Sequence, residues 1–124
     1  MRQITIKAID AKTTTFTSDP ISLEGVKRAT LQFIRSNHSA GNGVFSVEVS
    51  NDGANWVTYN KLIDNVANTN AQSLTRVASS TLSSNTSKFY TLDFLMDCFK
   101  FMRVTVTVTT DGTHSAIAQV QYEE

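Results

Sequence analysis

Apolar positions in this chain recur at every second residue, not at the three-to-four spacing of a helix. Phe45, Val47 and Val49 alternate with Ser46, Glu48 and Ser50, and Val104, Val106 and Val108 alternate with Thr105, Thr107 and Thr109. An extended backbone throws successive side chains to opposite faces, so each run predicts a strand with one buried side. Ile4, Ile6 and Ala8 give a first strand, and the threonine-rich stretch 13–17 a second, closed by Ser18-Asp19-Pro20, where proline lacks an amide donor. Leu31 and Phe33, followed by Ile34, predict a strand covered on both sides. Asn51-Asp52-Gly53 turns the chain, because these residues accept left-handed backbone angles, and Trp56-Val57-Thr58-Tyr59 begins the return strand. Further strands are predicted at 74–78 and 89–92, and 92–97 reads as a short helical turn before the longest run, 99–109. Asp111-Gly112 predicts a hairpin turn into a closing strand at 116–122. The polar stretches 36–43, 60–70 and 79–87 read as exposed connections. About eight strands, with no helix long enough for a crossover, predict one all-β domain over residues 1–124: an antiparallel β-sandwich, jelly-roll-like.

Composition sharpens this picture. Serine and threonine make up roughly a quarter of the 124 residues, and a branched β-carbon suits a pleated surface. Eleven basic against eleven acidic side chains, a net charge of zero, argue against strong phosphate binding and so against nucleic acid as partner. No apolar run is long enough to span a membrane as a helix, and the alternating start Met1-Arg2-Gln3-Ile4 is unlike a signal peptide. One cysteine excludes an internal disulfide framework. The expectation is a soluble domain kept in a reducing compartment.

Candidate chemistry is sparse. His38 and His114 fall in predicted loops among small polar residues and read as solvated; zinc needs three or four converging ligands. Cys98 has no neighbouring base to lower its pKa and reads as a small core or edge residue. Asp93 and Asp97 flank an apolar corner that they cap or solvate. Glu48 and Asp52 are the distant acids that a glycosidase cleft would have to bring together. Asn51-Asp52-Gly53 has the start of a calcium loop without the downstream acidic ligand. Asn37-His38-Ser39 and Asn85-Thr86-Ser87 match glycosylation acceptors. Trp56 and Tyr59 have two readings: an aromatic platform for a sugar ring, or packing over the core or its rim. No catalytic, cofactor or metal site is expected, and the chain is not expected to be an enzyme.

The segment Val44-Phe45-Ser46-Val47-Glu48-Val49-Ser50-Asn51-Asp52-Gly53-Ala54-Asn55-Trp56-Val57, with Phe99-Lys100-Phe101-Met102-Arg103-Val104-Thr105-Val106 much later, resembles the paired strand–turn–strand and strand motifs of discoidin-like jelly rolls. The same combination resembles small structural proteins of tailed bacteriophages, including capsid decoration (cement) proteins. The resemblance implies a sandwich fold and a non-catalytic virion component, assembled in the host cytoplasm. Its implied partners are the major capsid protein or other virion proteins, and its own copies in a homo-oligomer, with neither nucleic acid nor membrane. Residues 36–43, 60–70 and 79–87 would be its contact surfaces. The alternative is a carbohydrate-binding module using Trp56 and Tyr59, or a tail- or neck-associated adhesion domain.

Overall fold

The computed structural model describes residues 2–64, 75–92 and 98–122. Among them the chain forms twelve strands and no helix: β1 (Arg2–Lys12), β2 (Phe16–Thr17), β3 (Ile21–Ser22), β4 (Val26–Ser36), β5 (Gly41–Ser50), β6 (Val57–Thr58), β7 (Leu62–Ile63), β8 (Arg76–Val77), β9 (Ser80–Leu82), β10 (Thr86–Leu92), β11 (Phe101–Thr110) and β12 (Thr113–Tyr122). The predicted helical turn falls largely on 93–97, outside the described residues, as does most of the 60–70 stretch.

Two antiparallel sheets result. The first has the order β1-β12-β4-β10-β7-β8; in the second β2 and β3 pair one edge of β11, and β5 carries β6 and β9 on its far side. The predicted alternation holds on β5 and β11, whereas on β1 Ile4 is exposed and a register shift after Lys7 makes Ile9 the buried side chain. Phe45, Val47, Val49, Val104 and Val106 are buried with Leu31, Phe33, Ala118 and Val120 in one core between the sheets. The Phe33 ring on the first sheet stacks on Phe45 of the second, centroids 4.7 Å apart and planes 10° from parallel, and Tyr90 and His114 tilt against the two rings.

Twelve strands replace the expected eight because several pairings are only two or three residues long. No period can register in so short a stretch. Residues 79–87 are thus no plain connection: Ser80–Leu82 pairs with β5, and Ser80 is buried where its Oγ accepts a hydrogen bond from the Tyr90 hydroxyl at 2.8 Å. The expected loop 36–43 shrinks to 37–40. Its glycines belong to β5, and Gly43 is buried because a Cβ there would lie 2.4 Å from the His114 ring. Asp111-Gly112 is not a hairpin turn either. β11 and β12 lie in different sheets and do not pair, so the two residues form a corner.

That corner has a twin. β4 passes to β5 across 37–40 just as β11 passes to β12 across 111–112. Ser36 pairs with Thr113 on one side of the bend and Gly41 with Thr110 on the other. β4–β5 and β11–β12 therefore make one long two-stranded ribbon folded over at its middle. Folding it requires left-handed backbone at Asn37, Gly41, Thr110 and Gly112, with φ of 54°, 79°, 73° and 108°.

Candidate functional site

The fold-over of the ribbon encloses Arg35, the largest fully buried side chain among the described residues, at 1% exposure. Its position follows from strand parity: Leu31, Phe33 and Arg35 share the inward face of β4. A buried guanidinium must spend its five N–H donors on acceptors. Nη1 donates to the Asp111 carbonyl and to His114 Nε2, both at 2.8 Å. Nη2 donates to the Ala40 carbonyl at 2.9 Å and to His38 Nδ1 at 2.8 Å, and Nε donates to the same His38 nitrogen at 3.1 Å. The Asp111 carboxylate lies 3.6 Å from Nη2 and also accepts from the Ser39 and Ala40 amides.

Both histidines correct the solvated reading. His114 lies on β12 in the core, at 0% exposure, because it shares the inward parity of Ala116, Ala118 and Val120. Its Nδ1 donates to the Lys12 carbonyl at 3.1 Å, which leaves Nε2 as the acceptor that Arg35 requires. Burial lowers its pKa below the ordinary 6.5, and the Arg35 charge adds to this against the opposite pull of the Lys12 carbonyl. His38 is half-buried, with its amide on Asn85 Oδ1 at 2.8 Å. Hydrogen bonds to the Ala40 and Ser39 amides, with the Arg35 charge, hold the Asp111 carboxyl below its usual 3.8.

This clasp reaches four sheet-to-sheet crossings at one end of the molecule. Lys12 begins the passage from β1 to β2, 37–40 joins β4 to β5, Asn85 ends the passage from β9 to β10, and 111–112 joins β11 to β12. The asparagines of both glycosylation tripeptides are engaged here, Asn37 Nδ2 on Thr113 Oγ1 and Asn85 Oδ1 on the His38 amide.

The opposite end carries the other residues singled out in the sequence. Asp52 is fixed in its turn: its carboxylate accepts from Ser50 Oγ, the Ala54 and Asn55 amides and Asn55 Nδ2, at 2.7–2.9 Å. These bonds, led by those from Asn55, hold its pKa far below the usual carboxylate range. Glu48 pairs with Arg103 at 2.9 Å across the β5–β11 ladder, so the two acids are committed to separate partners. Cys98 is exposed. No group of three or more potential metal ligands occurs among the described residues.

Trp56 and Tyr59 do not form one exposed platform. The Arg103 guanidinium covers a face of half-buried Trp56, 4.3 Å from the ring centroid. Tyr59, at 4% exposure, meets Phe99 edge-on at 6.0 Å. Tyr59 and Phe99 line a cleft of about 400 Å³ together with Asn51, Asn55, Asn60 and Lys61. The residues missed from the sequence are Arg35 and the inward role of His114. The signal available was a polar residue at the apolar parity of its strand.

No protein-family model matches the chain, and no curated protein is significantly similar to it in sequence. The crystal structure of the SPBc2 prophage-derived protein YomS is similar in fold, with a TM-score of 0.68 over 96% of this chain and 92% of that one, at 12% sequence identity. Over nearly its whole described length, then, the chain has the backbone arrangement of a protein from a prophage.

Proposed function

We propose that this chain is a non-catalytic structural component of a phage particle, acting as a capsid decoration protein that stabilises the shell through symmetric contacts with the major capsid protein. The observation that carries the reading is the near end-to-end likeness of fold to a prophage-derived protein. The surfaces are in keeping with it. The buried polar groups of the clasp are spent on holding the sandwich closed, while the outer sheet faces present threonine, serine and glutamine around a few apolar side chains such as Phe89 (46% exposed) and Val57 (69% exposed). A decoration protein acts through buried area, of order 1,000 Å² or more per contact and repeated by symmetry. The test is mass spectrometry of purified particles of the encoding phage. The expected result is the chain at a copy number set by the shell symmetry, with particles lacking it breaking at lower temperature. Absence from washed particles would overturn the reading.

The cleft beside Tyr59 supports a second reading as a carbohydrate-binding or adhesion domain, since an aromatic edge among amides suits a sugar ring. Titration with glycans, followed by the emission of the single tryptophan three residues from Tyr59, separates the two readings. Saturable binding that Tyr59→Leu abolishes favours the second.

A further inference from the structure

We propose that His114 makes the Arg35 clasp an acid-sensitive latch, in which protonation of its imidazole opens the crossing end of the sandwich while the Asp52 end stays closed. The proposal rests on hydrogen-bond polarity and does not depend on the virion reading. Arginine remains a cation at any accessible pH and has no acceptor to offer. Each imidazole therefore holds its place only by presenting a lone pair, His114 through Nε2 and His38 through Nδ1. His114 cannot turn its other nitrogen inward without losing the Lys12 carbonyl. A proton on Nε2 sets donor against donor and cation against cation at 2.8 Å, inside the core.

The charges around the site do not relieve this. β4 contributes Arg35 itself, the 37–40 crossing His38, and the 111–112 corner Asp111, whose carboxylate already balances the guanidinium at 3.6 Å. From β1 comes Lys12, with its ammonium over the Phe16 ring at 4.7 Å. β5 contributes only Gly43 and Phe45, and the 83–85 crossing the neutral Asn85. A second positive charge is uncompensated, so the proton enters only as the imidazole parts from Arg35. Parting disturbs the ties that Arg35 makes between the loop 37–40 and the corner 111–112 through the Ala40 and Asp111 carbonyls, leaving the Asp111 carboxylate on the Ser39 and Ala40 amides as the remaining link.

Linkage sets the size of the effect. The open state takes up the His114 proton near the ordinary histidine pKa of about 6.5 and the closed state resists it, so the opening equilibrium grows by up to about tenfold per pH unit below that value. The β5–β11 ladder supplies its own control. Amides of 41–44 and 107–110 lie beside the latch, and those of 47–50 and 101–104 lie at the far end. Native-state hydrogen exchange of the purified chain between pH 7.5 and 5, corrected for intrinsic exchange, should show protection falling at the near end alone. The variant His114→Gln keeps a neutral acceptor and should abolish the pH dependence. Parallel loss at both ends, or an unchanged near-end response in that variant, would overturn the latch. Should that variant fail to fold, NMR titration of the wild-type His114 imidazole decides: its protonation with the near-end amides still protected overturns the latch, and the two changes occurring together support it.

Discussion

Arg35 shows how one side chain can decide the state of a whole end of a sandwich. Removing its head while keeping its bulk, as in Arg35→Met, leaves His114 Nε2 without a donor in the core and the part-buried Asp111 and Ala40 carbonyls without theirs. The expected cost is about 3 kcal/mol, read as a lowered urea midpoint with unchanged slope. Thr110 offers the opposite experiment. It is an exposed β-branched residue held at φ 73°, where a Cβ crowds the carbonyl, so Thr110→Asn should raise stability by about 1 kcal/mol in the same titration. Neither effect was legible from residue type alone. Arg35 was visible only as a charged residue at the parity of Leu31 and Phe33, and His114 only as a polar residue at the parity of Ala116. Strand alternation marks such positions, but it does not say whether the strand has already left the core by then. The apolar pattern of the closing strand begins only at Ala116, three residues after the strand itself begins at Thr113, so the pattern leaves His114 in the loop.

At the scale of elements, the long strands were legible and the short ones were not. β5 alternates from Phe45 to Ser50 in sequence and β11 from Met102 to Thr109, and that regularity specified both the buried face and the pairing class. β7 and β8, two residues each, exist because neighbouring strands offer them an edge, a tertiary cause with no local period. The fold-over of the ribbon is hidden in the sequence for a related reason: Asp-Gly permits a hairpin and a corner equally, and only the sheet to which the next strand belongs distinguishes them. Gly43 tests the packing of this bend. Gly43→Ala would push a methyl into the His114 ring, which is boxed in by Arg35, Phe45 and the Lys12 carbonyl. A loss of roughly 1–3 kcal/mol is expected, together with a shifted His114 resonance. Gly53→Ala is the comparison. Its Cβ meets Phe101 at an ordinary 3.6 Å, so only the left-handed φ of 76° opposes it, at about 1 kcal/mol and with no effect on His114.

For the molecule as a whole, the groups with shifted pKa values set an acid profile of two stages. His114 has a lowered pKa in the folded chain, so the unfolded chain binds the extra proton. Stability is fully present above about pH 6.5 and falls as the pH drops below it. Asp111 and Asp52, also lowered, contribute stability that is present above about pH 4 and is lost as the pH falls further. Thermal midpoints measured from pH 8 to pH 2 should therefore be level, then decline, then decline more steeply, and Asp52→Asn should flatten the last stage alone. A midpoint constant down to pH 3 would contradict the assignment. The sheet order carries a further consequence, for how the chain is made. β12 follows every other described strand in the sequence, yet it lies between β1 and β4, pairing Arg2 with Tyr122 along one side and Ser36 with Thr113 along the other. During synthesis β1 and the facing edge of β4 wait, unpaired, until a segment more than 75 residues beyond β4 has been made. Closure of that sheet is accordingly slow, as pairings distant in sequence are, and chains cut short before residue 113 should be recovered bound to chaperones or in aggregates.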